Sequence, residues 1–78
     1  MTEVILEPLA NGMEEGTIQR WYYEEGDRVE DGADLVEIIS EEGTFKITAP
    51  IAGILGEVYF GVGETVSVGE ILCEIEKD

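Results

Sequence analysis

The chain repeats itself. Laid over Gly53 to Ile75 at a constant offset of 37 residues, Gly16 to Ile38 matches it at eight of 23 positions: Gly16/Gly53, Tyr22/Tyr59, Gly26/Gly63, Val29/Val66, Gly32/Gly69, Leu35/Leu72, Glu37/Glu74 and Ile38/Ile75. Three further pairs, Ile18/Leu55, Trp21/Val58 and Tyr23/Phe60, stay apolar. Such a repeat builds one supersecondary unit twice, and neither copy is long enough to bury its apolar face alone. Each copy also holds a glycine-bracketed polar stretch with a valine inside it, EEGDRVEDG in the first and VGETVSVG in the second. Glycines so placed supply the positive φ that tight turns require.

The segments between turns are rich in Val, Ile, Thr and aromatic residues, which suit a pleated, half-buried surface, and none has a helical period. Eight strands are predicted: Glu3 to Glu7, Thr17 to Tyr23, Arg28 to Val29, Asp34 to Ile39, Thr44 to Thr48, Gly53 to Phe60, Thr65 to Val66 and Ile71 to Glu76. Four strands per copy imply an all-β sandwich of two sheets with approximate twofold symmetry. Ser40, Glu41, Glu42 and Gly43 then form the hairpin turn that joins the two halves. Pro50 ends the strand after that turn and has its counterpart in Pro8.

At 78 residues the chain holds one domain, residues 1 to 78. Its net charge of -15 repels polyanions, so neither nucleic acid nor an anionic membrane is an expected partner. A charge-steered partner should be basic. Cys73 is the single cysteine and histidine is absent, which excludes a disulfide framework, a zinc site of the usual ligand types and histidine-based catalysis within one chain. Cys73 aligns with Val36 across the repeat and reads as a small core hydrophobe. The start, MTEVILEP, lacks the basic and long apolar regions of a secretory signal, so a soluble intracellular protein is expected.

In their order and spacing, PLANGMEEGTIQRW, EEGDRVEDGADLVEI, TFKITAPIAGILGEV and GETVSVGEILCEI resemble the successive blocks of lipoyl domains, the biotinyl/lipoyl-carrier modules of 2-oxo acid dehydrogenase complexes. The resemblance runs from about Val4 to Ile75. It implies a flattened barrel or sandwich of two four-stranded antiparallel sheets with internal pseudo-twofold symmetry, a barrel-sandwich hybrid. It further implies a carrier within a dihydrolipoamide acyltransferase component, monomeric as an isolated domain. The expected partners are components of such a complex or a lipoyl-attaching enzyme, in the cytoplasm or, in a eukaryote, the mitochondrial matrix.

In that family the hairpin tip bears a lysine whose amine forms an amide with lipoate. An ungapped alignment, held by Glu37 and Ile38 before the turn and by Thr44, Ala49 and Pro50 after it, puts Glu42 on the lysine position, flanked by Glu41 and Gly43. A carboxylate offers no nucleophilic amine, so no cofactor is expected on this chain as written. Glu42 reads either as an engineered replacement of that lysine or as a natural departure, and Gly43 in place of the usual alanine, with Ser40 and Glu41 ahead of it, tips the balance slightly to the natural one.

Lys46 is the other acceptor to weigh. It lies four residues on, in a strand, where a solvated lysine beside Glu37 or Glu41 is the simpler reading. Lys77 is terminal. A biotin carrier is a weaker match, because methionines should flank the modified residue and here they are Met1 and Met13. Adjacent glutamates at a tip are ordinarily solvated, so no metal or acid/base pair is assigned and the chain reads as no enzyme. The resemblance also places the Asn11 to Gly16 loop beside the tip, which makes Asn11, Gly12, Glu14 and Glu15 candidates for partner recognition. The run Trp21, Tyr22, Tyr23 reads as core packing with one exposed tyrosine rather than a stacking platform. Without the lysine, a protein-interaction module that carries nothing is the alternative function.

Overall fold

A computed structural model describes residues 1–77. Asp78, the last residue of the single domain read from the sequence, lies outside them. The strands are β1 (Thr2–Ile5), β2 (Glu15–Trp21), β3 (Arg28–Val29), β4 (Asp34–Ser40), β5 (Gly43–Thr48), β6 (Gly53–Val58), β7 (Thr65–Ser67) and β8 (Ile71–Lys77), with no helix among the described residues. They form two four-stranded antiparallel sheets in the orders β1-β8-β6-β3 and β5-β4-β2-β7. Exchanging each strand with the one four places away converts the first order into the second. Each copy of the repeat therefore gives two strands to each sheet, and the copies interlock instead of stacking.

The repeat pairs make the core. Val29/Val66, Leu35/Leu72, Val36/Cys73 and Ile38/Ile75 are fully buried, as are Ile18/Leu55. Burying one such side chain contributes roughly 1.5–3 kcal/mol. Leu35 and Leu72 explain a second identity in the repeat. Each is the extra residue where the register of its strand slips, between Asp34 and Val36 in β4 and opposite the Val4/Ile5 slip in β8. Their carbonyls accept the N–H groups of Tyr22 and Tyr59, at 2.9 and 3.0 Å. The bulged leucine thus finds its partner in the residue just beyond β2 or β6. That contact ends β2 at Trp21 and β6 at Val58, two residues earlier than the β-rich sequence predicts. At the other end β2 begins at Glu15, because Glu15 and Gly16 pair with β7. β1 stops at Ile5, short of the predicted Glu7, at its own register slip.

The turn glycines clasp the halves together. Gly26 N–H donates to the Leu55 carbonyl at 2.8 Å and Gly63 N–H to that of Ile18 at 2.9 Å, and both glycines have positive φ. Gly16 and Gly53 are matched for a different reason. A Cβ on Gly16 would collide with the Ile38 side chain, and one on Gly53 with the Glu76 carbonyl oxygen. The Glu37/Glu74 identity has no comparable explanation, since Glu37 lies opposite Lys46 and Glu74 opposite Glu3.

Candidate functional site

β4 and β5 meet in a hairpin whose last paired residues are Ser40 and Gly43, which leaves Glu41 and Glu42 alone at the tip. Two-residue loops of this kind usually take primed turns, which need positive φ at one or both tip residues. Neither glutamate has it. Gly43 takes φ 137° instead, with open space around the position of a Cβ, so a glycine stands there for its backbone and not for room.

Ser40 closes the turn. Its Oγ accepts the Glu42 N–H at 3.1 Å, and its single proton can go to Glu42 Oε1 at 3.1 Å or to the Gly43 carbonyl at 3.4 Å. The Glu42 side chain is exposed, yet its carboxylate is tethered to its own turn. The S-x-E spacing signals such a turn, and the sequence reading assigned Ser40 to the turn without this role.

Beside the tip runs a cleft of about 410 Å³. Gly12, Glu14 and Glu15 border it on one side and Ile39 to Glu42 on the other, with Gly16 and Thr17 between. Met13 anchors the loop by its buried side chain, and the Val68 N–H donates to the Glu14 carbonyl at 2.9 Å. Gly16, lacking a Cβ, lets β2 close on Ile38 of β4. The loop and the tip are therefore neighbours, and Gly12, Glu14, Glu15, Glu41 and Glu42 border one cleft. Asn11 is exposed and does not line it.

No cation lines this cleft, and the described residues contain no group of acidic and cysteine side chains placed to hold a metal. Chemically the tip offers carboxylates and one hydroxyl without a basic nitrogen to activate it, and it has no amine. The tip residues Ser40 to Gly43 consequently do not fit an amide-linked lipoyl or biotinyl group.

Lys46 is elsewhere. It pairs with Glu37, three register steps from Ser40/Gly43 and so about 10 Å down the hairpin. It therefore sits beside Glu37, as expected, and not beside Glu41, while its Nζ lies 3.9 Å from Asp34 and 5.8 Å from the centre of the Tyr22 ring. Arg20 covers the same ring at 4.8 Å. Tyr22 is thus the aromatic that turns away from the core, while Trp21 and Tyr23 pack against it. Trp21 Nε1–H donates to the Phe60 carbonyl at 2.9 Å. Cys73 is buried, and desolvation, helped by the charge on Glu74, pushes its thiol pKa up to about 12.

Residues 3–75 match the family model described as biotin-requiring enzyme. The chain is 39% identical over 77 residues to the dihydrolipoyllysine-residue succinyltransferase component of the 2-oxoglutarate dehydrogenase complex of Bacillus subtilis, a match covering 99% of this chain and 18% of that protein. The chain therefore spans under a fifth of the length of this curated relative. Among solved structures, the lipoyl domain of the 2-oxoglutarate dehydrogenase complex from Azotobacter vinelandii superposes with a TM-score of 0.81 at 21% identity, covering 99% of this chain and 98% of that one. Truncated AcrA from Campylobacter jejuni gives 0.73 at 21% identity, covering 96% and 87%. At these identities the two likenesses establish the fold.

Proposed function

The chain belongs to the biotin/lipoyl-carrier domain family, and from that premise we propose that it is a lipoyl-type module of a 2-oxo acid dehydrogenase complex, with Glu42 at the hairpin position where the sequence resemblance puts the modified lysine. The observation behind this reading is the exposed two-residue tip between Ser40 and Gly43, closed by the Ser40 hydroxyl and holding no amine. Lys46 cannot substitute from mid-strand, with its charge turned to Asp34 and Tyr22. The module binds partner enzymes through the tip and the adjoining loop and carries no acyl group itself. Its role is presentation rather than catalysis.

Intact-mass spectrometry after coexpression with a lipoyl-attaching enzyme and lipoate tests this. The expected results are no lipoyl gain on the chain as written and a single gain on Glu42→Lys. A gain on the unaltered chain would overturn the assignment of Glu42. Failure of the folded Glu42→Lys variant to be modified would favour the second reading, a diverged interaction module. That reading draws on the four carboxylates bordering the cleft, Glu14, Glu15, Glu41 and Glu42. For it, charge reversal at Glu14 and Glu15 should abolish capture of a basic partner, and unchanged capture would remove the loop from the interface.

A further inference from the structure

Away from the tip, the two sheets each end in a strand with a single neighbour, β1 in one and β5 in the other. Between these edges lies a groove of about 310 Å³, lined by Glu3, Ile5, Glu7 and Leu9 on one side and by Ile47 and Pro50 on the other. Ile5 is 41% exposed and Leu9 36%, a pair of large hydrophobics left open beside backbone that has no ladder partner. Along this stretch Glu3, Ile5 and Glu7 face outward while Val4 and Leu6 are buried in the core. The outward face therefore alternates acid, apolar, acid. Neither Glu3 nor Glu7 has an ion pair among the described residues, whereas Lys46 on the opposite lip is matched with Asp34.

We propose that this groove binds an extended peptide in which basic and apolar residues alternate at every second position, so that both kinds lie on one face, added as a fifth strand along β1. The open edge supplies main-chain hydrogen bonds, Ile5 and Leu9 receive the apolar side chains, and Glu3 and Glu7 receive the basic ones. A second copy of this chain is the wrong occupant: it brings another net charge of -15 and offers acidic residues to the same acidic lip. The proposal is independent of what stands at position 42.

Because so acidic a domain attracts any polycation, the test must separate groove binding from bulk attraction. A short synthetic peptide with lysine and valine alternating at every second residue and serine between them is titrated into the protein and followed by amide chemical shifts, with the same peptide carrying glycine for valine as the control. Shifts should map to Thr2 through Leu9 and Ile47 through Pro50, with the control at least about tenfold weaker. Ile5→Glu supplies the diagnostic sign: bulk attraction strengthens with the added negative charge, whereas groove binding weakens about tenfold. Ile5 is exposed, so the variant should fold, and its spectrum shows whether it has. Stronger or unchanged binding by Ile5→Glu, equal binding of the control, or shifts centred on Glu14 and Glu42 would each overturn the proposal. So would a concentration-dependent dimer, seen by sedimentation without peptide and abolished by Ile5→Glu.

Discussion

Gly16 and Gly53 occupy equivalent places in the repeat, yet the structure makes them unequal, and replacing each by alanine measures the difference. Neither has the positive φ that alanine would resist. Alanine would therefore gain about 0.4–1 kcal/mol from a stiffer unfolded chain at either site. Against this stands the cost of overpacking, roughly 1–3 kcal/mol. At Gly16 the new methyl meets side-chain atoms, Ile38 Cγ2 and, at 3.3 Å, Met13 Cε, which can shift at the expense of a strained rotamer. At Gly53 it meets the main chain, the Glu76 carbonyl oxygen with its carbon at 2.9 Å, in the strand that β6 must pair with through Ile54 and Glu76. There relief requires moving β6 off β8. We expect a net loss of about 1 kcal/mol for Gly16→Ala and about 2 kcal/mol for Gly53→Ala. In a domain of this size these correspond to melting shifts of roughly 6 and 12 °C. Urea titrations followed by circular dichroism, with thermal melts alongside, would read both. Equal losses, or a milder Gly53→Ala, would refute the distinction between side-chain and backbone obstruction. Gly16→Ala should also move the amide signals of Ser40 through Gly43, because Ile38 lies two residues before the turn.

The remaining expectations are simpler to check. The Cys73 thiol, with a folded pKa raised from 9.0 to about 12, favours the protonated form in the fold. Its contribution is complete below pH 9 and is lost as the pH rises from 9 towards 12, by up to about 1.4 kcal/mol per pH unit. Alkaline urea titrations should show that slope reduced in Cys73→Ala, and an unchanged slope would count against the assignment. Iodoacetamide at pH 8 should leave the folded thiol unmodified. With a net charge of -15, added potassium chloride should raise the melting temperature as it screens self-repulsion over about 10 Å at 0.1 M. A flat or falling salt curve would refute that. Trp21→Phe removes the donor to the Phe60 carbonyl and should cost about 1–2 kcal/mol in urea, and a neutral result would mean water replaces the indole.

Much of the fold was legible because the repeat constrains it twice. Each buried pair, such as Ile38/Ile75, occupies one place in each sheet, so the offset located the core and the turn between the halves without any tertiary information. What the offset could not convey is that the copies interlock, since strand spacing is indifferent to which sheet a strand joins. The ends of β2 and β6 were misjudged because Tyr22, Tyr23, Tyr59 and Phe60 have strong sheet preference. Tyr22 and Tyr59 are drawn off by bonds to the bulged Leu35 and Leu72, and a bulge leaves no local signature in composition. Glu37 was legible as the neighbour of Lys46, whereas Asp34 was not, because it lies beyond the register slip at Asp34/Val36.

The candidate site was legible in position and not in chemistry, and the hairpin shows why. Its geometry is set by Gly43, by the Ser40 hydroxyl and by the strands behind them, while Glu42 contributes a backbone N–H and an exposed side chain whose recorded hydrogen bond is to Ser40. Any residue without special backbone demands fits there within about 0.5 kcal/mol, since surface substitutions of this kind barely move stability. The identity of residue 42 is therefore almost free of structural constraint, and on the proposed reading the place that decides between carrying an acyl group and merely presenting a surface is one the fold governs little. A lysine there would leave every core contact intact, so loss or gain of the attachment function can proceed without passing through an unfolded or misfolded intermediate. That separation makes the Glu42→Lys variant informative: with the scaffold held constant, the mass it gains or fails to gain reports on recognition and amine chemistry alone.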